Sequence, residues 1–82
     1  MNSNKQNLIN KIIYRSQYRG TKEMDMFLSN FVKSIVFDLA LEDLIDLDLL
    51  INMNDEDIDK ISKGNKEFKN IKIVKLLTDF CK

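Results

Sequence analysis

Histidine is absent from this chain of 82 residues, and its absence restricts the possible chemistry more than any other feature of the composition. Without histidine the chain lacks the usual general base, the commonest metal ligand and any Ser-His-Asp or Cys-His pair. The sequence also contains no glycine-rich phosphate-binding loop and no dinucleotide-binding motif. We therefore predict that the chain is not an enzyme by itself and has no catalytic residues and no metal site.

Cysteine occurs once, as Cys81, which excludes an internal disulfide and a zinc site made of several cysteines. Because Cys81 falls on an apolar helical face next to the end of the sequence, we expect a buried structural thiol and not a nucleophile.

Proline is also absent and there are only two glycines, fewer turn-forming residues than folds built from many strands usually need. The apolar runs are too short to span a membrane, and the start resembles neither a signal peptide nor a mitochondrial transit peptide. We expect one soluble, all-α domain over residues 1–82, monomeric when free and located in a bacterial cytoplasm.

Apolar residues recur at steps of three and four in five segments, which predicts a small five-helix bundle. The clearest stripe runs from Met24 to Ile35, and Asn54 and the pair Gly64-Asn65 mark the start and the end of a short helix. The predicted helices cover 4–18, 21–36, 41–51, 55–63 and 67–81.

Charge is balanced at 13 basic and 13 acidic residues, but it is unevenly distributed along the chain. Residues 1–37 carry a net +4, residues 38–59 carry −9 and residues 60–82 carry +5. We expect these blocks to neutralise one another across helix faces. The lysines at every third position from Lys60 to Lys75 favour a solvated surface over a nucleic-acid site, because such a step spreads them around a helix.

The corner between the first two helices carries the sequence Arg19-Gly20-x-x-Glu23. One interpretation is structural: Gly20 ends the first helix in a left-handed conformation, Arg19 caps its carbonyls and Glu23 stabilises the next helix. The other is functional: Gly20 lets a partner approach closely, and Arg19 and Glu23 offer charged hydrogen bonds beside it. The two interpretations are compatible.

This segment resembles the RGxxE motif of the SdhE family of succinate dehydrogenase flavinylation factors, which are small five-helix proteins of similar length. The resemblance continues through Met24-Asp25 and the apolar run to Phe31. A second block, Leu50-Ile51 followed by Asp55-Glu56-Asp57-Ile58, is similar to the leucine pair and Asp-x-Asp-Leu element of the family.

The resemblance implies an assembly factor that binds the flavoprotein subunit of succinate dehydrogenase or fumarate reductase. It also implies that the factor promotes covalent attachment of FAD to a histidine of that subunit, without binding FAD stably itself. The partner-binding residues implied are Arg15, Tyr18, Arg19, Gly20, Glu23 and Asp25.

Three positions depart from the family pattern: Tyr18 replaces a common arginine, Ala40 replaces a serine cap, and Ile61 replaces a common tryptophan. Two other functions stay open at this point. One is a generic helical interaction module, and the other is a nucleic-acid-binding bundle that uses the lysine-rich carboxyl-terminal region.

Overall fold

The computed structural model describes residues 3–17 and 21–81 of the chain, which form five α-helices and one turn of 3₁₀ helix. Within these ranges no β-strand occurs, so the prediction of an all-α bundle is confirmed. The helices are α1 (Ser3–Gln17), α2 (Lys22–Ile35), α3 (Leu41–Ile51), α4 (Asp55–Ser62) and α5 (Ile71–Phe80), and the 3₁₀ turn is Val36–Asp38.

The core forms where α1 packs on α2 and on α3; the 3₁₀ turn extends α2, and α5 contacts both α3 and α4 to complete the core. The predicted stripe of α2 faces inward, with Phe31 as the largest fully buried side chain. The buried apolar residues are Ile9, Ile12, Leu28, Phe31, Val32, Val36, Leu39, Leu44, Leu47, Leu50, Ile51, Ile58, Ile61, Ile73 and Leu77.

The end of α4 is defined by glycine geometry, as the sequence predicts. Gly64 has a φ of +79°, a left-handed conformation that costs little only without a Cβ. Its N–H donates to the Ile61 carbonyl, and the N–H of Asn65 donates to the Lys60 carbonyl at 2.7 Å. These two bonds satisfy carbonyls that the helix leaves without partners, which is the Schellman arrangement.

The last helix begins later than predicted, at Ile71 instead of Glu67. Asn70 sets this start, because its Oδ1 accepts the N–H of Ile73 at 3.1 Å. The Nδ2 of the same side chain donates to Asp43 at 3.0 Å and to Asp46 at 2.8 Å, both on α3. Because Asn70 caps α5 and also bonds to α3, the helix begins after it, although the sequence pattern from Glu67 onward predicts a helix.

The prediction that Cys81 is buried is wrong. Cys81 is exposed, because it follows the last turn of α5 and lies beyond Phe80, whose ring rests on Phe27 and Phe31 at the margin of the core. On α3, three apolar residues at steps of four, Leu41, Ile45 and Leu49, share the outer side of the helix and are each almost half exposed.

The charge blocks neutralise one another as expected. Lys72 contacts Asp43 at 3.1 Å and Lys69 contacts Asp46 at 3.3 Å, which joins the carboxyl-terminal lysines to the acidic face of α3. Lys60 and Lys63 pair with acidic residues one turn earlier on α4. Because these lysines face carboxylates, they do not form a continuous cationic stripe.

Among the helices that the structure describes, none combines the length and apolar character needed to cross a membrane.

Candidate functional site at the start of the second helix

The six residues predicted to bind a partner fall into two groups. Arg15, Glu23 and Asp25 lie in the part of the chain that the structure describes, whereas Tyr18, Arg19 and Gly20 lie outside the described residues. The described members flank the corner from both sides: Arg15 is in the last turn of α1, and Glu23 and Asp25 are in the first turn of α2.

Thr21 caps α2 directly after the corner. Its backbone is extended, with φ −125° and ψ 152°, and its Oγ1 accepts the N–H of Met24 at 3.2 Å. Its carbonyl accepts the N–H of Asp25 at 3.0 Å. A threonine in this position stabilises the helix start and holds the following residues in a regular first turn.

Glu23 is exposed in that first turn, and Asp25 is half-buried beside it. Carboxylates there interact favourably with the positive end of the helix dipole, so part of their role is structural. The exposed carboxylate of Glu23 also remains accessible to a partner.

Arg15 makes an ion pair that the sequence reasoning missed. Its Nη1 lies 3.1 Å from Oδ1 and 3.4 Å from Oδ2 of Asp48 on α3. The Arg15 side chain is 38% exposed and that of Asp48 only 19%. The contact ties α1 to α3, so Arg15 has a role inside the fold whether or not it also touches a partner. The opposite charges of residues 1–37 and 38–59 are the only sequence signal for it.

A groove lies beside the start of α2 and was not predicted. It has a volume of about 480 Å³, its floor is largely apolar, and it opens to solvent. Its lining comes from α2, from the end of α4 and from the residue after α5: Thr21, Glu23, Met24, Phe27, Asp59, Ser62, Lys63 and Cys81. Because these residues are far apart in sequence, no local pattern could reveal the groove.

The described residues offer no cluster of three or more Asp, Glu or Cys side chains that could hold a metal ion. The chemistry available around the corner is recognition by charge and apolar contact: exposed carboxylates, an arginine and a groove with an apolar floor.

Comparison with known proteins shows which family the sequence matches. Residues 10–81 match the family model described as flavinator of succinate dehydrogenase. The chain is 35% identical over 77 residues to a mitochondrial succinate dehydrogenase assembly factor 2 of Candida glabrata, covering 85% of this chain and 50% of that protein. It is 32% identical over 74 residues to the protein of the same name in Lodderomyces elongisporus, covering 82% and 45%.

The chain thus spans about half the length of the curated relatives it matches. No solved structure matches it. Because the family model covers most of the chain, from the second half of α1 to Cys81, the chain belongs to the flavinator of succinate dehydrogenase family, the SdhE type that its RGxxE segment resembles.

Proposed function

We propose that this protein is an assembly factor that binds the flavoprotein subunit of succinate dehydrogenase or fumarate reductase and promotes covalent attachment of FAD to it. Membership of the family, established by a match over residues 10–81, is the observation that carries the proposal. The exposed Glu23 next to the corner supports the location of the docking surface.

The mechanism we propose is positional. This chain has no histidine, so it cannot itself accept the usual histidyl flavin linkage. It would act by holding the partner's segments so that the partner's histidine and the flavin methyl group lie in reacting geometry, which lowers the entropic part of the barrier. FAD would be bound by the partner and not stably by this chain, and this chain would not be an enzyme.

The docking surface in this proposal consists of the six predicted residues around the corner. Gly20 would allow close approach, Arg19, Glu23 and Asp25 would provide polar contacts, and Arg15 and Tyr18 would lie at the edge. The ion pair of Arg15 with Asp48 favours an edge position, because an arginine already held by a carboxylate has fewer free donors for a partner.

The test is in-gel flavin fluorescence of the flavoprotein subunit, produced with and without this protein. We expect fluorescence with the native chain and its loss with Gly20→Arg, with the helical circular dichroism spectrum retained. Normal flavinylation by Gly20→Arg would contradict the assignment of the docking surface.

A matched pair of charge variants separates partner contact from helix stability. Glu23 and Glu42 are both exposed glutamates in the first turn of a helix, so neutralising either removes a similar interaction with a helix dipole. We expect Glu23→Gln to weaken partner binding at least fivefold and Glu42→Gln to leave it unchanged. Equal effects would indicate that Glu23 acts only through the helix.

The nucleic-acid alternative is less well supported than the interaction with a protein. Lys60, Lys63, Lys66, Lys69 and Lys72 all lie within 4.0 Å of carboxylates, which lowers the positive potential that phosphate binding requires. Co-purification from lysate separates the alternatives. Recovery of a flavoprotein supports the assembly factor, and recovery of a different protein supports a generic interaction module. Recovery of nucleic acid that salt removes supports the nucleic-acid-binding function.

Location in a bacterial cytoplasm also stays a proposal. The two relatives named above are described as mitochondrial. Either this protein differs from them in its compartment, or the expectation of a bacterial cytoplasm is wrong. Fractionation of cells that express the natural protein would decide between the two.

A further inference from the structure

The groove beside α2 shares residues with the proposed docking surface. Glu23 and Thr21 line the groove, and both lie in the stretch of chain that opens α2 after the corner. A partner that contacts Glu23 would therefore cover the mouth of the groove. Glu23 thus belongs both to the groove and to the proposed docking surface, which is the first reason to assign them the same partner.

The chemistry of the groove indicates what it would accept. Met24, Phe27 and Cys81 supply apolar surface, and a thioether beside an aromatic ring adapts well to an inserted side chain. Burying a large apolar residue in such a pocket is the usual source of binding energy at a protein interface. The groove has a volume of about 480 Å³, which is large enough to hold a leucine, methionine or phenylalanine side chain.

The charges at the rim add a second requirement. Asp59 and Lys63 face each other at 3.1 Å and neutralise one another. Glu23 is the remaining carboxylate of the lining, and it makes no ion pair with another described residue, so the described lining carries a net negative charge. A cation on the partner, close to the inserted apolar side chain, would complement it.

We propose that this groove receives a large apolar side chain of the flavoprotein subunit, flanked within a few residues by a lysine or arginine that pairs with Glu23. The inference rests on the proposed function, because the partner is the same. It adds the apolar anchor and its pocket to a surface so far defined by polar residues.

The first experiment compares two variants that add the same bulky residue. Cys81 is exposed at the rim of the groove, so Cys81→Trp should obstruct it without disturbing the core. Asn10 is exposed on α1 and does not line the groove, so Asn10→Trp is the control. Affinity for the purified flavoprotein subunit is measured by titration calorimetry, and circular dichroism verifies the fold.

We expect Cys81→Trp to weaken binding at least tenfold and Asn10→Trp to change it less than twofold. Equal affinities for the two variants would overturn the groove proposal while leaving the assembly function intact. Failure of the native chain to bind the flavoprotein subunit at all would overturn both.

A second measurement does not depend on a bulky substitution. The single cysteine allows a photoreactive benzophenone maleimide to be attached at Cys81 of the native chain. Irradiation of the complex should cross-link a segment of the flavoprotein subunit that contains a large apolar residue and a nearby lysine or arginine. Cross-linking to an acidic segment without such a residue, or no cross-link in a formed complex, would overturn the proposal.

Discussion

Asn70 shows how one side chain can set both a helix boundary and a contact between helices. Its carbonyl oxygen caps α5, and its amide nitrogen donates to two aspartates of α3. A side chain that satisfies a helix end and two carboxylates at once is harder to replace than a cap alone, because its loss removes the acceptor of the Ile73 N–H and leaves Asp43 and Asp46 with only their lysine partners.

We expect Asn70→Ala to lower the free energy of unfolding by about 2 kcal/mol, since it removes a cap and two hydrogen bonds to carboxylates. Asn54 is the matched control, because its Oδ1 only caps α4, accepting the N–H of Asp57 at 2.8 Å. Asn54→Ala should cost about 1 kcal/mol. Urea denaturation measures the free energy of unfolding of both variants. A loss for Asn70→Ala no larger than that for Asn54→Ala would contradict the double role of Asn70.

Asp43 accepts a hydrogen bond from Asn70, and this bond makes the stability of the fold depend on pH. The hydrogen bond from Asn70 and then that from Lys72 hold the pKa of the Asp43 carboxyl below its ordinary value, although burial opposes the shift. A carboxyl with a lowered folded pKa stabilises the fold above its unfolded pKa of about 3.9. This contribution is lost as the pH falls below that value and through the folded pKa.

The loss of stability between about pH 5 and pH 2 should therefore be shallower for Asp43→Asn than for the native chain. Asn70→Ala should also make this loss shallower, because it removes the hydrogen bond that is the main cause of the lowered pKa of Asp43. Thermal unfolding at a series of pH values gives the slopes, and unchanged slopes in both variants would show that other carboxyls dominate acid unfolding.

The helices themselves differ in how completely their ends are capped. Thr21, Asn54 and Asn70 cap α2, α4 and α5 with side-chain oxygens. Ala40 precedes α3 with an extended backbone, φ −70° and ψ 163°, and makes no such bond. Since the backbone already has the conformation that a capping residue needs, only the side-chain acceptor is missing at this position, where the family pattern has serine.

Ala40→Ser should raise the free energy of unfolding by about 0.5–1 kcal/mol by supplying that acceptor. Ala40→Val fits the same extended backbone but offers no acceptor, so it should give no gain. Chemical denaturation compares the two variants with the native chain. A similar effect of serine and valine would mean that the start of α3 is stabilised by packing alone.

Gly64 is the complementary case at a helix end. Apart from Gly64 itself and its two chain neighbours, no heavy atom of the described residues lies within 4 Å of the position a Cβ would take, so the positive φ is what opposes a side chain. Gly64→Ala should cost about 1 kcal/mol, and Gly64→Asn less, because asparagine tolerates the left-handed conformation. If alanine and asparagine were equally destabilising in denaturant titrations, a steric clash and not the backbone would be responsible.

For the molecule as a whole, contacts between charges far apart in sequence orient the helices on the apolar core. The ion pair of Arg15 with Asp48 spans 33 residues and links α1 to α3. The pairs of Lys69 and Lys72 link the carboxyl-terminal part to the same acidic face of α3. These links join the ends of the chain to its middle.

A double-mutant cycle of Arg15→Gln and Asp48→Asn should give a coupling energy of about 0.5–1 kcal/mol, typical of a partly exposed pair, and less at high salt. Partner binding measured on the same variants separates the two roles of Arg15. If Arg15→Gln weakens binding while Asp48→Asn does not, Arg15 touches the partner directly. Parallel effects of both variants would assign it to the fold.

Much of the fold follows from patterns that repeat within four residues. Apolar residues spaced three and four positions apart predict the stripe of α2 and the bounds of α3. Asn54 and Gly64 correctly mark the two ends of α4. The RGxxE segment with its continuation resembles the family whose model the chain then matches over residues 10–81. Each of these signals is local, because helix periodicity and capping involve neighbours along the chain.

Packing determines the rest, because it depends on how helices are oriented in space. The start of α5 was predicted four residues early, since the ties from Asn70 to Asp43 and Asp46 cannot be read from its neighbours. Cys81 is exposed for a similar reason: an apolar helical face is buried only where another helix covers it. The groove that we assign to a partner's side chain exists only because three chain segments, distant in sequence, meet beside the start of α2.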